Sequence, residues 1–189
     1  AVLTLDGGTT SASLISTIAF RNDGEIHLTG SSGNQVYVDC GGTGIDNRGV
    51  IDIHPGNGTR ELRGSLANNG GTVRIREDVS VYEDNATYSN NSGTFHVAAG
   101  KTFTVNRNGQ TFSQTGGTLD CQGTLEVVGS TGTDKAAFEL SGGTVVGTPP
   151  ILYRVEMSLA DTAPVATLIL QNYCTAMTDI PANLTLNVG

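Results

Sequence analysis

Five side chains able to act as acid, base or ligand recur at one place in a series of similar short stretches: His27, Asp52, Arg74, His96 and Asp120. They stand in EIHLT, VIDIH, TVRIR, TFHVA and TLDCQ, each between two apolar residues. An apolar–x–apolar triplet is a strand whose middle residue points away from the core. Imidazole and carboxylate one strand spacing apart could transfer a proton or begin a metal site. His96 with Asp120 is the best such pair, but a metal needs a third ligand. The neighbouring outward positions, Thr72, Thr94, Thr118 and Thr144, offer only hydroxyls. The plainer reading is a surface ladder in which complementary charges face each other across adjacent strands. On that reading no residue is assigned as catalytic, cofactor-binding or metal-binding, no cofactor is implied, and the chain is not an enzyme.

Other candidates are weaker. The doublets Glu77–Asp78 and Glu83–Asp84 flank Val79–Val81 and could offer oxygens to a hard cation, yet they lack the phasing of calcium-binding nonapeptide solenoids. They read as solvated turns. The threonine column raises ice binding, which wants regular Thr-x-Thr ranks such as Thr102–Phe103–Thr104. The partner positions here are Arg74, His96, Asp120 and Val146, irregular and charged. The acceptor triplets at Asn57, Asn85, Asn90 and Asn183 are about as many as the composition produces by chance. The longest insertions, near Gly129–Ala137 and Ala160–Pro164, carry only Asp134 and Asp161 as acids.

The elements that position these residues follow from a repeat. Six segments share a small polar residue, any residue, Gly, any residue, then apolar–x–apolar: NDGEIHL, NRGVIDI, NGGTVRI, NSGTFHV, TGGTLDC and the degraded SGGTVVG. Their glycines are Gly24, Gly49, Gly71, Gly93, Gly117 and Gly143, spaced 22 to 26 residues apart. Such a fixed period decides the fold. A second alternating run follows each copy: VYVDC, ELRG, VSVY, FTV and LEV. A third apolar point precedes each next copy: Phe20, Ile45, Leu66, Tyr88, Phe112 and Leu140. Three short strands per period, joined by Gly- and Asn-rich turns, make one coil of a parallel β-solenoid wound around its own core. Ile26/Leu28, Ile51/Ile53, Val73/Ile75, Phe95/Val97 and Leu119/Cys121 are expected to point inward. Each shared glycine should adopt a left-handed conformation or allow close approach at the corner. The Asn two residues earlier (Asn22, Asn47, Asn69, Asn91) suits the same turn. The one competing helix signal, around Asp134–Leu140, is weak.

Composition agrees. With 26 glycines, no Trp and 37% hydrophobic residues, a narrow core is all the chain can fill. A net charge of −8 with Lys101 and Lys135 as the two lysines argues against nucleic-acid binding. No apolar run reaches the ~18 residues of a membrane span. The start, AVLTLDGG, lacks the features of a signal peptide, so a mature form, a fragment or another export route is expected. Cys40, Cys121 and Cys174 are too widely spaced for a zinc ribbon or a dense disulfide framework. Cys40 and Cys121 fall in the inward apolar set, where a thiol packs as a small hydrophobe; a disulfide or reactive role is the other reading. Residues 1–147 form the repetitive solenoid. Residues 148–189 hold four of the five prolines and read as irregular coils of the same solenoid, with a small packed appendage as the alternative.

The copies NSGTFHVAAGKTFTV, TGGTLDCQGTLEV and SGGTVVG resemble repeats in autotransporter passenger domains and haemagglutinin-like adhesins. The resemblance covers roughly residues 20–147 and implies an all-β, right-handed parallel β-helix, extracellular or at the cell surface, used for adhesion, coating or filament building. It carries no catalytic residues across. The expected function is therefore a structural or adhesive β-helix, part of a long surface adhesin or a head-to-tail filament subunit, with surface glycans among its partners. A carbohydrate-active β-helix, a polysaccharide lyase or tailspike-like hydrolase, is the alternative. Strand-like ends, AVLTLD and NLTLNVG, without an amphipathic helix or charged cap imply a longer solenoid or end-to-end self-association through the terminal coils. At six to eight coils a subunit would rise on the order of 30–40 Å.

Overall fold

The computed structural model describes residues 1–131 and 135–189 and shows a parallel β-solenoid of about seven turns. Every strand pairing among the described residues is parallel, and the strands stack into three ladders. The first runs through β1 (Val2–Asp6), β4 (Glu25–Thr29), β7 (Val50–Ile53), the second half of β9 (Leu66–Ile75), the second half of β11 (Thr87–Val97), β14 (Thr118–Cys121) and β17 (Thr144–Gly147). The second runs through β2 (Ala12–Ile15), β5 (Val36–Asp39), β8 (Arg60–Arg63), β10 (Val79–Val81), β12 (Thr102–Val105), β15 (Thr124–Val128), β18 (Ile151–Tyr153), β20 (Ala166–Gln171) and β22 (Leu184–Val188). The third takes β3 (Phe20–Asn22), β6 (Ile45–Asn47), the first halves of β9 and β11, β13 (Thr111–Gln114), β16 (Ala137–Leu140), β19 (Glu156–Leu159) and β21 (Thr175–Ala176). Strands β9 and β11 turn the corner between the third and first faces without a break, which merges those two ladders into one sheet. The pairing continues beyond residue 147 in the second and third ladders.

The five inward pairs expected on the first face are buried, as are most inward apolar residues of the other two faces away from the terminal coils. Phe20 differs: it is only partly buried, because β3 pairs on one side only, with β6. Mid-solenoid the core is aromatic. Phe95 meets Phe103 and Phe112 edge-on at 5.1 and 5.5 Å, and Phe112 stacks on Phe138 at 6.1 Å. Each such ring removed from water contributes roughly 1.5–3 kcal/mol. The register also corrects one alignment. Phe138 pairs with Phe112, whereas Leu140 pairs with Gln114, so Leu140 is not the sixth member of the Phe20–Phe112 column. The helix signal near Leu140 gives way to strand β16; residues 132–134 lie outside the described residues.

Two further columns explain the turns. The six shared glycines lie one above another, and a Cβ on any of them would collide with backbone of the coil below, in most cases the preceding glycine's carbonyl oxygen. Close approach, rather than handedness, is what all six share: Gly93, Gly117 and Gly143 have positive φ, but Gly24, Gly49 and Gly71 do not. Beside them runs a buried row of amides. Asn22 donates to Asn47, Asn47 to Asn68 and Asn68 to Asn90, each at 2.8 Å, and Asn90 donates to Gln114 at 3.0 Å. The same amides also bond corner carbonyls, as Asn68 does to Thr94 at 3.2 Å. A buried polar side chain is tolerated when fully partnered, and here each coil supplies the partner for the next. The row ends at Leu140, which offers no acceptor, and Gln114 donates instead to the Gly116 carbonyl.

Arg60 is the exception within the core. It pairs with Val36 and Val79 in an inward column and is 1% exposed. No carboxylate stands within ion-pair distance of it among the described residues. Its guanidinium donates instead to the carbonyls of Asn57 and Gly58 at 2.9 and 3.0 Å. Burial lowers its pKa from the usual guanidinium value. It occupies the corner volume that Gly30 and Gly56 leave open, since a Cβ on either would strike its Nη2.

Candidate functional site

The first face carries the expected column in register: His27 opposite Asp52, then Arg74, His96 and Asp120, followed by Val146. The threonine column Thr72–Thr94–Thr118–Thr144 runs alongside it. The side chains, however, do not all pair along the column. His96 Nδ1 meets Asp120 at 2.9 Å as expected. Asp52 is gripped diagonally by Arg76, through Nε at 2.8 Å and Nη2 at 2.7 Å, with Arg74 at 3.7 Å. His27 turns to Glu25 at 2.8 Å and to His54 at 3.0 Å, their rings stacked 4.9 Å apart. His54 in turn bonds Arg76 at 3.0 Å. A continuous chain thus links Glu25, His27, His54, Arg76 and Asp52. Glu25, His54 and Arg76 lie two residues along their strands from the column, so only a model of side-chain direction could have placed them.

Within this chain of groups the charges hold one another. Asp52 is 4% exposed and saturated by guanidinium. Burial, reinforced by the positive charge of Arg76 and by His27, lowers the pKa of His54, and Asp52 opposes this only in part. No group of three or more His, Cys, Asp or Glu among the described residues is arranged to hold a metal. The unfolded chain, with ordinary imidazoles, therefore binds more protons than the folded one, and stability must fall as pH drops through about 6.5. Asp120, lowered by Gln122 and His96, and Glu77, lowered by Lys101, act with the same sign at lower pH: their contribution is present above the ordinary carboxylate value and lost below it. Melting temperature followed by circular dichroism should be level between about pH 7 and 8 and decline on the acid side in two stages, as pH falls below about 6.5 and then below about 4. His54→Gln should remove the first stage and leave the second.

The first acidic doublet is engaged as well, whereas Glu83 is held, among the described residues, only through its backbone carbonyl and Asp84 is exposed. Glu77 accepts from Lys101 at 2.6 Å and from the Gly56 amide at 3.2 Å, and Asp78 accepts the Thr102 amide at 2.8 Å. Glu83 contributes its carbonyl to Gln110 at 2.7 Å. On the second face, Tyr37, Arg63, Tyr82 and Arg107 alternate up the stack, each guanidinium 4.0 to 5.4 Å from a ring centre. Glu61 holds Arg63 at 2.7 Å. Of the acids in the insertions, Asp161 is exposed on a turn, and Asp134 lies outside the described residues. Of the acceptor triplets, Asn90 is fully buried in the amide row and closed to modification, whereas Asn57 and Asn85 are exposed. All three cysteines are free thiols. Burial pushes Cys40 up to about 11 and Cys121 up to about 12, as inert core residues, and the half-buried Cys174 donates to the Leu152 carbonyl at 3.1 Å.

Sequence reasoning passed over one region. Where the second ladder turns toward the third, in the last coils, Ser130, Thr131, Lys135, Arg154, Tyr173 and Thr175 line a cleft of about 360 Å³. Its lining holds two cations, hydroxyls and an aromatic ring. No helix among the described residues is long and apolar enough to cross a membrane. No protein-family model matches the chain, nor does any curated protein or solved structure.

Proposed function

We propose that the protein is a structural or adhesive β-helix working outside the cell or on its surface, as part of a long surface adhesin or as a subunit stacked head to tail. The observation that carries this reading is the mutual saturation of its chemistry-bearing side chains. Asp52, Glu61, Glu77 and Asp120 each already hold a cation or an imidazole. An acid–base pair acting on a polysaccharide needs two carboxylates facing a shared cleft and free to change charge. Inward-facing apolar side chains left open on the terminal coils support continuation by another coil: Leu3, opposite Ile26, at one end and Val188, opposite Leu170, at the other. Stacking of that kind is heterologous and propagates.

The test has two arms. The purified chain is incubated with a panel of polysaccharides, and retention on each is measured beside release of new reducing ends. Retention without cleavage is the expected result. Cleavage that one Asp→Asn substitution abolishes would replace this reading with the lyase or hydrolase one. Sedimentation velocity over a wide concentration range reads the stacking. Growth of the assembly with concentration is expected, and a constant monomer removes the head-to-tail arm.

A further inference from the structure

Non-glycine residues with positive φ are rare, and bulky ones are outliers. Four occur among the described residues, and three meet at one corner: Arg154 (φ 56), Asn172 (φ 52) and Tyr173 (φ 57). The register aligns them, with Val128 opposite Tyr153 and Tyr153 opposite Gln171, so that Gly129, Arg154 and Asn172 follow their strands at the same place. In two earlier coils this corner is turned by left-handed glycine, Gly41 (φ 52) and Gly64 (φ 91), for which the conformation is unstrained. The last coils turn it with large side chains instead. Strain of this kind costs of order 1–3 kcal/mol per residue and gathers at ligand-holding sites. The surroundings hold the turn in place: the Arg154 amide donates to the carbonyls of Gln171 and Asn172 at 3.2 and 3.1 Å, and Asn172 Nδ2 donates to the Tyr153 hydroxyl at 2.7 Å.

What the strained turn presents is specific. Tyr173 is 87% exposed, the most exposed large apolar or aromatic side chain described. Arg154 lines the same cleft with its guanidinium 5.2 Å from the Tyr153 ring centre, and no carboxylate is within ion-pair distance of it among the described residues. Lys135 lines it too, tied at 3.3 Å to Glu156 through two half-exposed side chains. Most other cations of this acidic chain are bound to carboxylates; Arg60 and Arg107 are held by carbonyls or against Tyr82. An exposed ring that can lie against the C–H face of a sugar, cations for a carboxylate and hydroxyls for its alcohols form one set.

We infer that the Arg154–Tyr173 cleft binds an acidic sugar residue of a polysaccharide, with Tyr173 stacking on the pyranose ring and Arg154 and Lys135 taking its carboxylate. The inference rests on the adhesive reading above and names the class of glycan that reading requires. Because bound charge is met by cations, affinity falls with salt.

The experiment compares oligogalacturonate with its fully methyl-esterified counterpart, the same ring without the charge, by titration calorimetry. The acid form should bind at least tenfold more tightly. Arg154→Gly and Tyr173→Gly should each weaken that binding tenfold or more while raising the melting temperature, because glycine relieves the turn. That opposite movement separates a ligand site from a structural corner, and it guards against a variant that merely fails to fold. Equal affinity for acid and ester, absence of binding to the acid form, or unchanged binding in both glycine variants would overturn the proposal. Equal affinity leaves the adhesive reading standing, whereas cleavage of the oligomer defeats the adhesive reading itself.

Discussion

Replacing Asn68 by alanine should cost the fold roughly 3–5 kcal/mol, while Asn69→Ala, one residue later, should cost less than about 1 kcal/mol. The two asparagines are adjacent and chemically identical, and only their places differ. Asn68 is fully buried. It accepts from Asn47 and donates to Asn90 and to the Thr94 carbonyl. Alanine leaves those partners in a dry core with a cavity beside them. A buried group stripped of its partner costs about 1–3 kcal/mol. Asn69 belongs to a second, outer row, bonded to Asp46 at 2.7 Å and to Asn91 at 2.9 Å, where water takes over a lost bond. Asn68→Leu should fall between them, since it fills the volume but leaves the neighbours unpaired. Urea unfolding of the three variants at unchanged slope reads the difference.

Gly49→Ala should be at least as damaging, at about 4 kcal/mol, and is expected to yield little soluble protein. The added methyl would meet the Gly24 carbonyl oxygen and the Asp23 carbonyl carbon of the coil below, both backbone atoms locked in a ladder. No side chain can swing aside. Coil spacing at that corner would have to widen, opening the bonds of Val50 to Gly24 and of Thr72 to Gly49, at 2.8 and 2.7 Å. Gly42→Ala is the control. It has no positive φ and open space around the added carbon, so its effect should lie within about 0.5 kcal/mol. Expression yield and thermal melting of the two variants check the contrast.

The coil was legible because two physical demands repeat in every period. Apolar alternation marks the core face, and close backbone approach admits only glycine at the corner. Aligning on glycine nevertheless hid the amide row. It puts Asn69, Asn91 and Thr115 in phase with Asn22 and Asn47, whereas the buried members are Asn68, Asn90 and Gln114. The corner from the third copy onward carries one more residue: three steps lead from Asn47 to Val50, but four lead from their partners Asn68 to Thr72. A signal for the true row was present, as an amide two residues after Phe20, Ile45, Leu66, Tyr88 and Phe112. On the first face the column was readable from strand period, but its pairing was not. Period places a side chain on a face, while the choice of His54 or Arg76 as partner is made by rotamer and local crowding. The cleft at Arg154 and Tyr173 left no trace at all. A left-handed glycine is conspicuous in a sequence; a left-handed arginine or tyrosine looks like any other.

The uniform stacking of coils has a mechanical side. One coil of 22–26 residues rises by a single strand spacing, about 4.8 Å, yet contains roughly 75–90 Å of chain when drawn out. Tension along the axis loads the ladders of a single junction like a peeled seam, so junctions yield one after another rather than together. Each coil that lets go lengthens about sixteen- to nineteenfold, and the amides and glycines of the next coil remain seated until their turn. A tether built this way answers a pull with a run of similar, separate extensions, each of which can rewind onto the face still folded beneath it.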